Sequence, residues 1–226
     1  MPISIAIYGG TGIGKSLDVH RAFVGKTVTL LTERGGLNSV IAHLGITPDC
    51  VEAFDIKDPI GQAEKLIDGR VKQQTKKKGV LVVDSGSELG LRHTDWLIQD
   101  RGKQVQQAFY ITQIGLRRLM RKSQALSSVS VWLFHEQDPE TKPSGAYVPG
   151  GPSLPGKLAK KAPYMFDMIL RAKWDMNIEG DKKRVYECDP RNADYIMKDR
   201  FGAAKETQPM NLKPIIAEIG KRLRRQ

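Results

Sequence analysis

Gly9-Gly10-Thr11-Gly12-Ile13-Gly14-Lys15-Ser16 is the stretch on which the fold turns. It fits the spacing GxxxxGK[ST], and its surroundings suit that motif. Before it runs Ile3-Ser4-Ile5-Ala6-Ile7-Tyr8, an apolar, β-branched segment that reads as a buried strand; after it, Lys15 to about Val24 reads as a helix. A glycine-rich turn between strand and helix lets backbone N–H groups and the helix N-terminus face a polyphosphate. Gly9, Gly10, Thr11, Gly12, Ile13, Gly14, Lys15, Ser16 and Leu17 are therefore the candidate nucleotide-binding residues. Lys15 reaches the outer phosphates of ATP, and Ser16 offers a hydroxyl to Mg²⁺.

Working outward, short apolar segments alternate with polar or amphipathic ones. Thr27 to Thr32 is a second strand ended by Glu33-Arg34-Gly35-Gly36, Asn38 to Leu44 a short helix, and Val51 to Ile56 a third strand. Pro59 to about Lys77 is a polar helix with Pro59 in its first turn. Val80-Leu81-Val82-Val83 lacks polar alternation, as a strand covered on both faces does, and ends at Asp84. From about Gln104 to Leu126, Val105, Phe109, Leu116, Leu119 and Met120 recur at helical spacing with Arg117, Arg118, Arg121 and Lys122 alongside. Ser130 to Phe134 is a fifth strand, and the proline- and glycine-rich stretch 137–156 is too punctuated for regular structure. Strands return at about Met168 to Lys173, Arg184 to Cys188 and Tyr195 to Lys198, and a basic helix closes the chain over about 213–226. The expected fold is α/β, a mostly parallel twisted sheet flanked by helices with a β-rich C-terminal extension. It forms one domain over 1–226 whose core covers about 1–205.

The chain has 226 residues, enough for a sizeable core, and its net charge of +11 favours a polyanionic partner, nucleic acid first. Cys50 and Cys188 are too far apart in sequence to suggest a metal site, and His20, His43, His93 and His135 show no metal-binding spacing, so no protein-bound metal cluster or disulfide staple is expected. No run of 18 apolar residues exists and the start carries no leader pattern, which predicts a soluble, cytoplasmic protein with no membrane partner.

Two carboxylates complete a candidate hydrolytic site. Asp84, at the end of an apolar strand, is placed to hold the metal's water shell. Glu33 ends the strand that follows the phosphate-loop helix, where ligands gather in open α/β sheets, and is the candidate to activate the attacking water.

This order of motifs resembles the RecA-like ATPases, a group that includes RecA, KaiC, DnaB-type helicases and RadA. Lys198-Asp199-Arg200-Phe201-Gly202 looks like the KNRFG signature of RadA, with Asp where Asn is usual. The overall pattern, over about 1–205, is most similar to short phage RecA-like proteins, the Sak-type single-strand annealing recombinases and related nucleotide-binding proteins. The resemblance implies that Lys198 and Arg200, alternating on a strand and sharing a face, present two cations to a nucleotide of a neighbouring subunit. It implies that His135 senses the γ-phosphate. It places DNA-binding loops after the fourth and fifth strands: about Ser87 to Gln104, with Arg92, His93, Trp96, Arg101 and Lys103, and about Gln137 to Lys161, with Lys142, Tyr147, Lys157, Lys160 and Lys161. The chain begins almost at its first strand, where RecA carries a segment that links protomers, so a filament is not implied, though assembly on DNA is.

The function expected is an ATP- and Mg²⁺-dependent ATPase, stimulated by single-stranded DNA, that promotes annealing or homologous recombination for a phage in the host cytoplasm. Its partners would be DNA, further copies of itself, and a single-stranded-DNA-binding or other replication or recombination protein. A partner-directed ATPase such as a helicase loader is the alternative. A nucleotide kinase, with 137–156 as its lid, fits the motifs less well.

Overall fold

A computed structural model describes residues 2–55, 57–176 and 180–225. Strand β1 (Ile3–Gly9) leads through the glycine-rich loop into helix α1 (Lys15–Ala22), followed by β2 (Thr27–Leu31), α2 (Asn38–Leu44) and β3 (Asp49–Glu52). The third strand thus starts earlier and is shorter than the apolar run Val51 to Ile56 suggested. Its pairing with β2 ends at Glu52, opposite Leu31, and Ile56 lies outside the described residues.

Helix α3 (Pro59–Leu66) runs through a π-turn (Ile67–Val71) into α4 (Lys72–Lys78), then come β4 (Val80–Asp84), α5 (Gly86–Gln99), α6 (Val105–Leu126) and β5 (Val129–Gln137). The stretch 137–156 is less irregular than its composition suggested. β6 (Glu140–Thr141) and β7 (Tyr147–Val148) form a small hairpin, and β8 (Gly151–Pro152) pairs with the end of β5. After α7 (Leu158–Lys161) and a 3₁₀ turn (Ala162–Tyr164) come β9 (Met168–Met176), β10 (Lys182–Glu187), β11 (Lys198–Asp199), β12 (Thr207–Pro209) and α8 (Leu212–Leu223).

The main sheet runs β12-β10-β9-β1-β5-β4-β2-β3, parallel from β9 to β3 and antiparallel across β9-β10-β12. This is the mostly parallel sheet with a β-rich extension that the sequence predicts. β5 lies between the strand that feeds the phosphate loop and β4, which carries Asp84, so three strand ends converge on one site.

Both faces of the sheet are covered, which explains the unbroken apolar strands. Ala6, Tyr8, Leu81, Val83, Trp132 and Phe134 point toward α3, α5 and α6. Ile5, Ile7, Val80, Val82, Val131 and Leu133 point toward α1 and α8. The alternation along each strand assigns one set to each layer. Among the described residues no helix is long and apolar enough to cross a membrane, and Cys50 and Cys188 are free thiols.

Helix α1 is fixed by two buried polar residues. Asp18 accepts hydrogen bonds from the Tyr186 hydroxyl (2.7 Å) and from the Leu212 backbone N–H (2.9 Å), tying α1 to β10 and to the start of α8. His20, only 1% exposed, lies between the hydroxyls of Thr27 (3.1 Å) and Thr29 (3.2 Å), tying α1 to β2. The phosphate loop is therefore anchored by the helix that follows it as well as by the strand before it.

Candidate nucleotide site

Gly12 and Gly14 have φ values of 76° and 94°, a region that costs glycine little and other residues more. At Gly14 a side chain would also collide with Arg184, whose Nη1 lies 2.6 Å from the ideal Cβ position. Gly14 caps α1 without a side-chain hydrogen bond, so the first N–H groups of the helix remain available to an anion. Thr11, Gly12, Gly14, Lys15, Ser16 and Leu17 line a cleft of about 470 Å³.

Lys15 is 9% exposed, and its Nζ donates to the carbonyls of Gly9 (2.8 Å) and Gly10 (2.9 Å). Burial pushes its pKa down, while Asp84 and Glu33 act in the opposite direction. Asp84, at the end of β4 and 5% exposed, accepts a 2.6 Å bond from the Ser16 hydroxyl. Burial raises its pKa to about 6 despite that bond. The Asp84–Ser85 peptide is cis.

Beyond Asp84 the polar groups form a chain. Ser85 donates to Glu33 Oε1 (2.7 Å), and the same oxygen meets His135 Nε2 at 2.6 Å. The bond from His135 holds Glu33 below the usual carboxylate range, and the same bond holds His135 above the usual imidazole range. Both shifts favour a carboxylate–imidazolium pair. Thr11 Oγ1 lies 3.5 Å from the other ring nitrogen of His135, linking the pair to the phosphate loop. Among the described residues no donor meets Glu33 Oε2, which leaves one carboxylate oxygen for a ligand or water.

A second network braces this end of the sheet. Arg171 on β9 reaches across β1 to Glu136 on β5 (2.6 Å) and also pairs with Glu187 on β10 (3.0 Å), which Lys173 joins at 3.1 Å. Glu136 follows His135, so the brace fixes the strand end that positions the imidazole. Arg184, on the same face of β10 as Tyr186, reaches the phosphate loop from the other flank. Sequence reading missed Arg184 and Arg171. Period-two alternation marks the face of Arg184 once Tyr186 is known to touch α1, but only the sheet order supplies that fact.

The candidate site residues divide between assembled and displaced. Lys15, Ser16, Asp84, Glu33 and His135 converge, as the strand-end argument requires. Lys198 and Arg200 do not. β11 covers only Lys198–Asp199 and pairs with Ile169 and Met168, three to four residues back along β9 from Ala172, the partner of Gly9. That is ~10 Å or more down the sheet. The Lys198 ammonium donates to the carbonyls of Pro163 (2.5 Å) and Phe166 (2.8 Å), while Arg200 pairs with Asp167 at 3.1 Å. The two cations are therefore not displayed together on one strand face, and neither lines the chain's own cleft.

The first expected DNA loop is mostly helix. Ser85 caps α5 by accepting from the Glu88 N–H (3.2 Å), and Leu89, His93 and Leu97 bury the inner face. Arg92 is held by the carbonyls of Thr32, Ala53 and Asp55, and Arg101 lies over the Trp96 ring at 5.3 Å, so these side chains already have internal partners. Lys103 is in the short α5–α6 connection. In the second region Lys142, Lys157, Lys160 and Lys161 are exposed, while Tyr147 donates to Asp194 at 2.7 Å.

The donor set suits Mg²⁺. One hydroxyl and one buried carboxylate, with phosphates and water for the rest, is how this ion is usually held beside a polyphosphate. Burial of Asp84 with the Ser16 hydroxyl as its side-chain partner leaves a carboxylate that a cation would stabilise. Among the described residues no cluster of three or more His, Cys, Asp or Glu side chains forms a metal site of its own. A family model for an AAA domain, AAA_24, matches residues 1–201. No curated protein matches the chain.

Proposed function

The chain belongs to the AAA_24 family of AAA domains and is a P-loop NTPase; on that premise we propose that it is an ATP- and Mg²⁺-dependent ATPase that binds single-stranded DNA and promotes annealing or recombination. The observation that carries the hydrolytic part is the convergence of Lys15, Ser16, Asp84, Glu33 and His135 around the phosphate loop. Ser16 and Asp84 would hold Mg²⁺, which would neutralise charge on the phosphates when bound. Lys15 exchanges its bonds to Gly9 and Gly10 for phosphate oxygens. Glu33, held through Oε1 by Ser85 and His135, uses Oε2 to orient water and accept its proton. His135 reports the γ-phosphate to Glu33 through its bond to that carboxylate. Arg184 contributes a cation within the same chain.

Support for the DNA part comes from the net charge of +11, the exposed lysines of 137–161 and the resemblance to Sak-type and RadA-like proteins. In an oligomer, the exposed Arg200 is the member of the KDRFG stretch that reaches a neighbour's nucleotide; Lys198 stays with its own chain. A second reading, a partner-directed ATPase, is favoured by exposed Leu91, Val105, Phe109, Tyr110 and Ile114 on α5 and α6.

The test is ATP turnover with and without single-stranded DNA, beside DNA binding with and without nucleotide. Mutual enhancement supports the recombinase reading. Turnover indifferent to DNA selects the partner-directed ATPase, and no turnover in either condition overturns the hydrolytic assignment.

A further inference from the structure

Helix α6 carries two rows of cations that the fold treats differently. Arg118 forms a two-pronged pair with Glu64, and Lys122 Nζ meets Asp68 Oδ2 at 2.7 Å, so this row fastens α6 to α3 and its π-turn. Arg117 and Arg121, one turn apart on the neighbouring row, have no carboxylate partner among the described residues. They line a cleft of about 380 Å³ with Lys161, Tyr164, Met120, Gln124 and Met165, and among the described residues no acidic one borders it.

Tyr164 is 89% exposed, on a turn that is nonetheless well tethered. Lys198 holds the carbonyls on both sides of it, at Pro163 and Phe166; Gln124 Nε2 donates to the Met165 carbonyl (2.6 Å); and Phe166 is buried in the core. Lys198 is thus a positioning residue for this turn. The ring is held at the surface beside cations that have no carboxylate partner among the described residues. This cleft shares no lining residue with the nucleotide cleft.

Resting on the DNA-binding reading above, we propose that this cleft binds single-stranded DNA, with phosphates on Arg117, Arg121 and Lys161 and one base stacked on Tyr164. Cations ~6 Å apart along a helix address neighbouring phosphates, whereas an exposed ring accepts a base only if that base is unstacked. A duplex keeps its bases inside. A single strand supplies both groups.

The experiment measures binding of labelled oligodeoxythymidylate to the full chain across a salt series. Each phosphate contact on a single strand contributes about −0.7 to the logarithmic salt slope, so Arg117→Gln with Arg121→Gln should flatten it by about 1.4. Tyr164→Ala should weaken binding about tenfold with the slope unchanged, and Tyr164→Phe should retain it. Arg121→Glu, at an exposed position, supplies a variant that keeps the fold; the thermal midpoint of each variant checks this. Wild-type affinity and slope in all the variants would overturn the cleft assignment while leaving DNA binding intact. A wild-type chain that binds no oligonucleotide at low salt overturns the DNA reading itself. Thymidine monophosphate competing as well as the strand, nucleotide for nucleotide, overturns the strand in favour of a free nucleotide.

Discussion

At the phosphate loop, Lys15, Ser16, Asp84, Glu33 and His135 hold one another or nearby backbone carbonyls in place; beside the C-terminal half of α6, Arg117, Arg121 and Lys161 face a cleft with no acid among its described lining residues. The first region is preorganised, and a ligand entering it exchanges existing bonds for new ones. The second carries uncompensated charge, so what it gains from a ligand is mainly attraction to an anion. Bond exchange in a buried site permits chemistry, because the polar groups are aimed before substrate arrives. Open cations permit affinity that falls with salt.

The largest expected separation between the two regions comes from Lys15→Ala. Removing the buried cation should reduce ATP turnover about 10²- to 10³-fold, the scale seen when one preorganised charge-stabilising donor is lost. The salt slope of DNA binding without nucleotide should stay at the wild-type value. Steady-state hydrolysis and strand titrations test the two halves of the statement, and a changed slope would break the division between the clefts.

Glu33→Gln tests the chain of bonds within the first region. Loss of the proton acceptor should reduce turnover by about 10²-fold, the lower end of what general-base catalysis contributes, while nucleotide binding remains. The same change removes the carboxylate that holds His135 above its ordinary range, so the imidazole pKa should fall in an NMR titration. Turnover lost with an unmoved His135 would mean that the two side chains do not act as a pair.

The first region was readable in sequence because its residues follow from rules of position. A glycine-rich turn after a strand, and carboxylates at strand ends, meet when the strands are parallel and their C-terminal ends lie along one edge of the sheet, and the run β1-β5-β4-β2 brings them together there. Arg171 and Arg184 were not readable, since their significance depends on which strands flank β1. Helix α5 was missed because a loop was expected after β4, although Ser85 with Glu88 three residues later is a capping pattern and Leu89, His93 and Leu97 share one face. Lys198 and Arg200 illustrate the converse limit. Alternation along a strand places two side chains on one face only if the strand persists, and β11 ends at Asp199. The basic row of α6 was visible as composition. Its division into paired and unpaired cations depends on Glu64 and Asp68, more than 50 residues away.

A stability measurement probes how firmly the first region is held. His20 is buried between two threonine hydroxyls, and burial pushes its pKa to about 4, against about 6.5 in the unfolded chain. The unfolded state therefore takes up a proton first as pH falls. The stability linked to neutral His20 is fully present above 6.5 and is lost progressively toward pH 4, up to about 3 kcal/mol. Denaturant titrations between pH 7 and pH 4 should show that loss, and in His20→Gln the part of the slope due to this residue should disappear. An identical pH dependence in the variant would show that His20 is not the group responsible.

The smallest effect is also the sharpest test of the comparison, because it sets two arginines of one helix against each other. Arg118 is exposed and its bond to Glu64 lies at the surface, so Arg118→Ala should cost only about 0.2–1 kcal/mol of stability, an amount that shrinks as salt is added. Its charge is already spent on Glu64, and removing it should leave the salt slope of strand binding unchanged. Arg121→Ala, three positions along, should do the reverse: no pair is broken, so stability holds, but one phosphate contact is lost and the slope flattens by about 0.7. Net charge changes by the same amount in both variants. If binding responded to net charge alone, the two would weaken it equally. A slope change confined to Arg121 identifies the cleft, because only the arrangement of partners distinguishes the residues.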